Sequence, residues 1–431
     1  MTDSPLKEEF LHYLWRTKKM PIGGYVTTDG RPLEILDFGI YNLDAGPDFF
    51  NGKIKLEDTI WAGNIEMHVF SSDWKKHKHH QDKAYDNVIL HVVYEEDKTV
   101  YRSDDKPIPT LELKGKIPKL YLNNYLGLIQ SQNKIPCQSL ISCVKKEKIN
   151  LWKYNLTVER LGNKSAFVND IYMSTGNDWE ETLYIMLARY FGSKVNTEPF
   201  EKLARSLPLN IIYKNKDKRR TLDALFFGQA GMLMANYKDA YFNGLKSEYQ
   251  YQQKKYGLKP IDSVSWKFSK LRPMNFPTIR IAQFAGLMYN VQFLFSKIRE
   301  AENASVIKKI IASDISEYWN THYRFGVVTT DKAKNPGSNF IDLLLINAIA
   351  PVLFAYGKLM ADESYIYKAI SILEYLPSEK NNIISLWNEL EIESTSAFDS
   401  QALIQLKSSY CDKFRCLYCN IGNDIMNLKE D

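Results

Sequence analysis

Histidine and cysteine are scarce in this sequence, with seven and five among 431 residues. Five cysteines in so long a chain do not make a disulfide framework, and they are expected to be reduced or to bind metal. The start, "MTDSPLKEEF", has no basic segment followed by an apolar one, so no signal peptide is read there and a cytoplasmic location is expected. Neither charge sign dominates. With 56 basic against 51 acidic residues, the chain is no bulk polyelectrolyte, and any basic surface must be local. A clean apolar run is also missing. "FIDLLLINAIAPVLFAYG" is interrupted by Asp342, Asn347 and Pro351 and falls short of the ~20 residues a bilayer requires, so it reads as a core helix and no membrane association is expected. A Gly-rich phosphate loop, a G-x-S-x-G elbow and an H-E-x-x-H helix are all missing, which speaks against NTPase, serine hydrolase and zincin chemistry.

What is present changes texture along the chain. Residues 5–19 repeat Leu6, Phe10, Leu11, Leu14 and Trp15 at helical spacing behind Ser4 and Pro5, the pattern of a capped amphipathic helix. From Gly23 to about Leu113 the period shortens to that of strands, with turns at Asp29-Gly30 and near Glu57-Asp58. "NVILHVVYE" is continuously apolar and β-branched, as a buried central strand should be. Beyond residue 120, "TLYIMLARYF", "PFEKLARSL", "LDALFFGQAGML", "TIRIAQFAGLMYNVQFLFSKI" and "DLLLINAIAPVLFAYGKL" carry helical spacing. The expected class is α+β: a small α/β domain over 1–120, a linker over 121–150, and a helical domain over 151–431 that ends in a cysteine cluster.

Five of the seven histidines (His68, His77, His79, His80, His91) fall in one short window, in and after "IEMHVFSSDWKKHKHH". On a strand, residues two apart share a face, so Glu66 and His68 point one way and Ile65, Met67 and Val69 the other. Asp48, after a Gly-Pro turn, stands eighteen residues upstream, where a hairpin would bring it beside Glu66. Two carboxylates at the end of a sheet can hold Mg²⁺ or Mn²⁺, which polarises a phosphate and activates water. A solvated face is the plainer reading of any one of these residues. For His91 alone, a hydrogen-bonded core histidine is the expected one.

The order of a helix with an acid, Pro47-Asp48 on one strand, and Glu66-Met67-His68 on the next resembles the core of the PD-(D/E)XK nuclease superfamily. His68 stands where the family has lysine. The resemblance implies a metal-dependent nuclease with Asp48 and Glu66 as metal ligands, His68 in the lysine's place, and Glu9 (Glu8 as the other candidate) as a helper. DNA or RNA would be the partner. At chain scale the sequence is similar to an uncharacterised bacterial family, domain-of-unknown-function family 2851. That likeness rests on "AGPDF", "GNIEMHV", "AYDNVILHVV", "FGSKVNTEPFEKLARSLP", "RPMNFPTIRIAQFAGL" and "CLYCNIG", and it implies no activity.

The loop carrying His77 and His80, with lysines interleaved, would lie at such a site, where positive charge suits phosphate. In the helical region, Arg219 and Arg220 precede an apolar helix, and Arg272 and Arg280 flank a Pro-Met-Asn-Phe-Pro turn. Basic groups beside aromatics can track a nucleic-acid backbone, though a solvated loop before a helix is the plainer reading of the first stretch, and structural carboxylates would serve as partners in the second. Cys411, Cys416 and Cys419 form C-x4-C-x2-C, one ligand short of a tetrahedral site. Cys137, with Cys143 in reserve, would supply the fourth thiolate for Zn²⁺ or an iron–sulfur cluster. Some PD-(D/E)XK nucleases carry an iron–sulfur cluster on one distant and three C-terminal cysteines, a pattern that looks similar but differs in spacing. Against the nuclease stand a binding or scaffold protein that has lost catalysis, and a zinc hydrolase using the histidines.

Overall fold

The computed structural model describes residues 6–20 and 24–429; the cap expected at Ser4 and Pro5 lies outside them. The chain divides into two units, one of Met1–Trp152 with Leu406–Asp431 and one of Lys153–Gln405. The first carries a mixed sheet and the second is predominantly helical, an α+β architecture. The division departs from the expected boundaries at two places. The segment expected as a linker contains the helix Lys119–Ile129 and belongs to the first unit. The cysteine-bearing segment after Leu406 clusters with that unit too, and not with the helices that precede it in sequence.

In the first unit, α1 (Glu8–Arg16) buries Phe10, Leu11, Leu14 and Trp15, as its spacing predicts. Seven strands follow: β1 (Tyr25–Val26), β2 (Pro32–Asp37), β3 (Ile40–Tyr41), β4 (Phe49–Leu56), β5 (Thr59–Phe70), β6 (Val88–Glu95) and β7 (Thr110–Glu112), with α2 (Asp73–Lys76) between β5 and β6. They are ordered β1-β2-β4-β5-β6-β7, with β3 also pairing with β4. The sheet is antiparallel through the β4–β5 pair, whose tight turn is at Glu57 (φ +54°). It is parallel from β5 through β6 to β7. A parallel strand needs a crossover, and residues 71–87 supply it, so the histidine loop lies over the sheet end. At Gly63 a Cβ would meet Ile89 Cγ2 at 2.5 Å and the Asn87 carbonyl at 2.6 Å. Only glycine lets β5 come this close to the start of β6.

Alternation along β5 is present, but it does not separate a wet face from a dry one. Ile65 and Met67 are buried on one side, and Glu66 (4% exposed) and His68 (1%) are buried on the other. The crossover covers them. Trp74, Tyr85, Val88, Val100 and Ile108 form a small apolar cluster above the sheet.

In the second unit the core gathers around helices Trp179–Phe191, Arg219–Gln229, Pro277–Asn290 and Ser338–Met360. The last is 23 residues long with mean hydropathy 1.9, apolar enough by length and composition to cross a membrane, and 83% of its most apolar stretch is buried within the protein. Its Pro351 offers no N–H, and the ladder widens to a π turn over Leu345–Ile349 just before it. The helix expected across 278–298 is broken, into Pro277–Asn290 and Leu294–Glu300, with Phe293 at φ +55°. Its second half is capped from elsewhere: the Glu180 carboxylate accepts the Phe295 and Ser296 amides at 2.8 and 2.9 Å. A distant carboxylate thus takes the donors that local periodicity would have given to the preceding turn.

Candidate metal centre

Asp48 begins at the mouth of β4 and Glu66 sits midway along β5, and their backbones bind each other's carboxylates. The Asp48 amide donates to Glu66 Oε2 at 3.1 Å, and the Met67 amide donates to Asp48 Oδ2 at 2.9 Å. One oxygen of each acid is thereby held by the opposite strand, fixing both side chains at one end of the sheet. Glu66 Oε1 turns to the histidines instead. It lies 3.2 Å from His79 Nε2 and 3.6 Å from His68 Nε2. His68 Nε2 is 3.1 Å from His77 Nδ1. Nitrogens of His68, His77 and His79 all fall within 4.8 Å of one another.

Behind this group His91, fully buried on β6, faces His68. His68 Nδ1 and His91 Nε2 are 2.8 Å apart, so His91 is the hydrogen-bonded core histidine its apolar strand suggests. The contact sets the ring of His68 and leaves its Nε2 turned toward Glu66 and His77, the arrangement by which a supporting group orients a metal-binding imidazole. Trp74 packs edge-on to His79, and Tyr85 stacks on it at 3.8 Å. A second helper comes from α1. His12 Nε2 is 3.1 Å from Asp48 Oδ2, angled as an ion-pair contact and not as a hydrogen bond. Half-buried Glu8, one helical turn before His12, feels the charges of His77, Asp48 and His12.

Burial governs the titration of this group. It pushes the Glu66 carboxyl up to about 9, with the charge of Asp48 adding to the effect. Burial lowers His68 strongly, helped by the neighbouring imidazoles, and holds His91 at about 3. The two directions oppose each other in stability. Glu66 is raised above its ordinary 4.5, so its contribution is full below that value and is lost as pH rises toward 9. His91 is depressed below 6.5, so its contribution is full above that value and is lost as pH falls toward 3. His68, depressed in the same way, adds a second loss on the acid side, so between about pH 3 and 9 the melting temperature of metal-free protein is expected to peak near pH 6.5 and to fall on both sides. Thermal unfolding in chelator across that range checks it; a steady rise from pH 7 to 9 would contradict the assignment.

Of the residues singled out from sequence, Asp48, Glu66, His68 and His77 meet here. Glu9 does not: it is exposed, and Glu8, a step of about 100° around the helix, takes the inward place. His80 is half-buried on the turn His79–Gln81, outside the ligand group. Arg219 and Arg280 have internal partners. Arg219 lies 3.4 Å from Asp223, and Arg280 bonds Gln283 and Asn275 while stacking on Phe340. Arg220 and Arg272 are exposed. Cys137, Cys411, Cys416 and Cys419 are buried free thiols, and Cys143 is exposed. The sequence reading missed His12, whose one local signal was its i, i+4 spacing from Glu8, and left His79 out of the ligand set.

A family model described as a protein of unknown function, DUF2851, matches residues 8–382. No curated protein and no solved structure matches the chain. The match spans α1, the whole sheet and the histidine group, and the chain belongs to the DUF2851 family.

Proposed function

We propose that the chain is a metal-dependent hydrolase of phosphodiester bonds in nucleic acid, acting at the corner formed by Asp48, Glu66 and His68. One observation carries the reading. The gaps between His68 Nε2, His77 Nδ1, His79 Nε2 and Glu66 Oε1 that lie along Glu66–His79, His68–His77 and Glu66–His68 are 3.2, 3.1 and 3.6 Å. A cation bound at about 2.0–2.1 Å to each ligand puts neighbouring donors about 3.0–3.4 Å apart; His68, His77 and His79, with one nitrogen each within 4.8 Å of the others, form a group that could hold one ion, and Glu66 Oε1 stands beside it. The order of elements also agrees with the nuclease resemblance: a helix bearing Glu8, an antiparallel strand pair bearing Asp48 and Glu66, then a crossover to a parallel strand.

The metal would supply Lewis acidity and an activated water. The protein's own part is to hold Asp48 beside that water, with His12 as its ion-pair partner, and to keep His68 oriented through His91. Lys75, Lys76 and Lys78 are exposed around His77 and give the rim positive charge for phosphates. Imidazole donors suit Mn²⁺ better than Mg²⁺. The three imidazoles also favour a second reading, a zinc hydrolase on the same ligands.

Metal-stripped protein supplied with Mg²⁺, Mn²⁺ or Zn²⁺ and panels of single- and double-stranded DNA and RNA is expected to cleave best in Mn²⁺. Activity in Zn²⁺ alone selects the second reading. Intact substrates in all three metals would refute catalysis and leave a binding or scaffold role.

A further inference from the structure

Four of the five cysteines gather in the first unit, three of them close together near the C-terminus and Cys137 far from them in sequence. Cys137, Cys411, Cys416 and Cys419 are 7–8% exposed, and none forms a disulfide. They are close enough for charge on one to be felt by the others: Cys137 by Cys416 and Cys419, and Cys411 by all three. The helix Asn420–Ile425 packs on the turn Ile141–Cys143, which brings the 137–143 segment to the C-terminal one.

Donors gather at the sulfur of Cys419. The Ile421 and Gly422 amides point at its Sγ. The indole N–H of Trp152, buried near the same atom, makes no hydrogen bond within the chain. A neutral thiol is a weak acceptor, and three donors aimed at one would be poorly satisfied, whereas a metal-bound thiolate satisfies them. Gly422 is required by this turn, because a Cβ there would overlap the Cys416 carbonyl.

Spacing then selects the ligand. A single tetrahedral zinc with Zn–S near 2.3 Å places its sulfurs about 3.8 Å apart. Among the described residues no three thiols come within 4.8 Å of one another. A cluster distributes its thiolates over several irons, so they stand farther apart than one ion allows.

We infer that Cys137, Cys411, Cys416 and Cys419 hold an iron–sulfur cluster that ties the C-terminal segment to the 137–143 turn. Each thiol gives up its proton to solvent as it ligates iron. The inference does not rest on any hydrolysis at the histidine centre.

The full chain, purified without oxygen, is expected to be brown and to contain iron and acid-labile sulfide in equal amounts, about two or about four of each. Cys143→Ser should keep this content, and Cys137→Ser and Cys419→Ser should lose most of it. Removing iron should make the chain after Leu406 sensitive to protease. Should the serine variants fail to fold, the iron and sulfide content of the unaltered protein still decides the matter. Stoichiometric zinc without colour, absence of both metals, or full iron retained in both serine variants would overturn the inference.

Discussion

Glu66→Gln is expected to lower metal-dependent cleavage by about 10³-fold or more while leaving the metal-free protein nearly as stable as before. The two halves of this result have one cause. With its carboxyl pushed up to about 9, Glu66 carries a proton at neutral pH when no cation is present. Glutamine then matches it in shape and charge and can still accept the Asp48 amide. Metal binding demands the carboxylate, because ligation displaces the proton. An amide cannot supply the charge, and losing one such ligand costs several kcal/mol of transition-state stabilisation. Steady-state cleavage and thermal unfolding measured on the same preparations check both halves. Glu9→Gln is the control and should change neither, since Glu9 is exposed outside the group. Unchanged cleavage in Glu66→Gln would remove Glu66 from the reaction.

The largest loss of stability is expected at Phe284. Its ring is 0% exposed and lies 4.9 Å from Phe191, 5.3 Å from Tyr184 and 5.4 Å from Phe226. Removing it opens a cavity that its neighbours cannot close, because they belong to two other helices with their own packing. Phe284→Ala should cost about 3–5 kcal/mol, and the second unit should melt on the order of 10 °C lower. Phe284→Leu keeps most of the volume and should cost less than half as much. Denaturant unfolding of both variants separates cavity formation from loss of the aromatic edge. A cost below about 1 kcal/mol for alanine would show that the cluster collapses freely.

Much of this was legible in short stretches. "NIEMHV" showed that Glu66 and His68 share a side of β5, and "NVILHVV" showed a strand buried on both faces, because strand period and apolar run are local properties. The C-x2-C spacing of Cys416 and Cys419 was legible for the same reason. What escaped depended on partners. Nothing near His12 announces Asp48, which approaches it only once α1 lies against β5. The break at Phe293 was hidden because "MYNVQFLFSKI" keeps helical spacing while Glu180 caps it from outside. Burial of the Glu66 face could not be read from β5 either, since the groups against it, His79 on Glu66 and His77 on His68, come from the crossover.

The first unit is discontinuous, and this orders events during synthesis. Tyr13 bonds Asn423, Arg16 bonds the Leu417 carbonyl, and Asn124 bonds the carbonyls of Ile425, Met426 and Leu428. All the residues of Lys153–Gln405 leave the ribosome between these partners. A nascent chain therefore carries every histidine of the centre long before the segment that clamps α1, with Glu8 and His12, can close. Loops closed over such separations form late. The corner of Asp48, Glu66 and His12 is thus clamped only after translation has passed Leu406, and an abortive fragment that stops earlier holds the histidine group without the clamp.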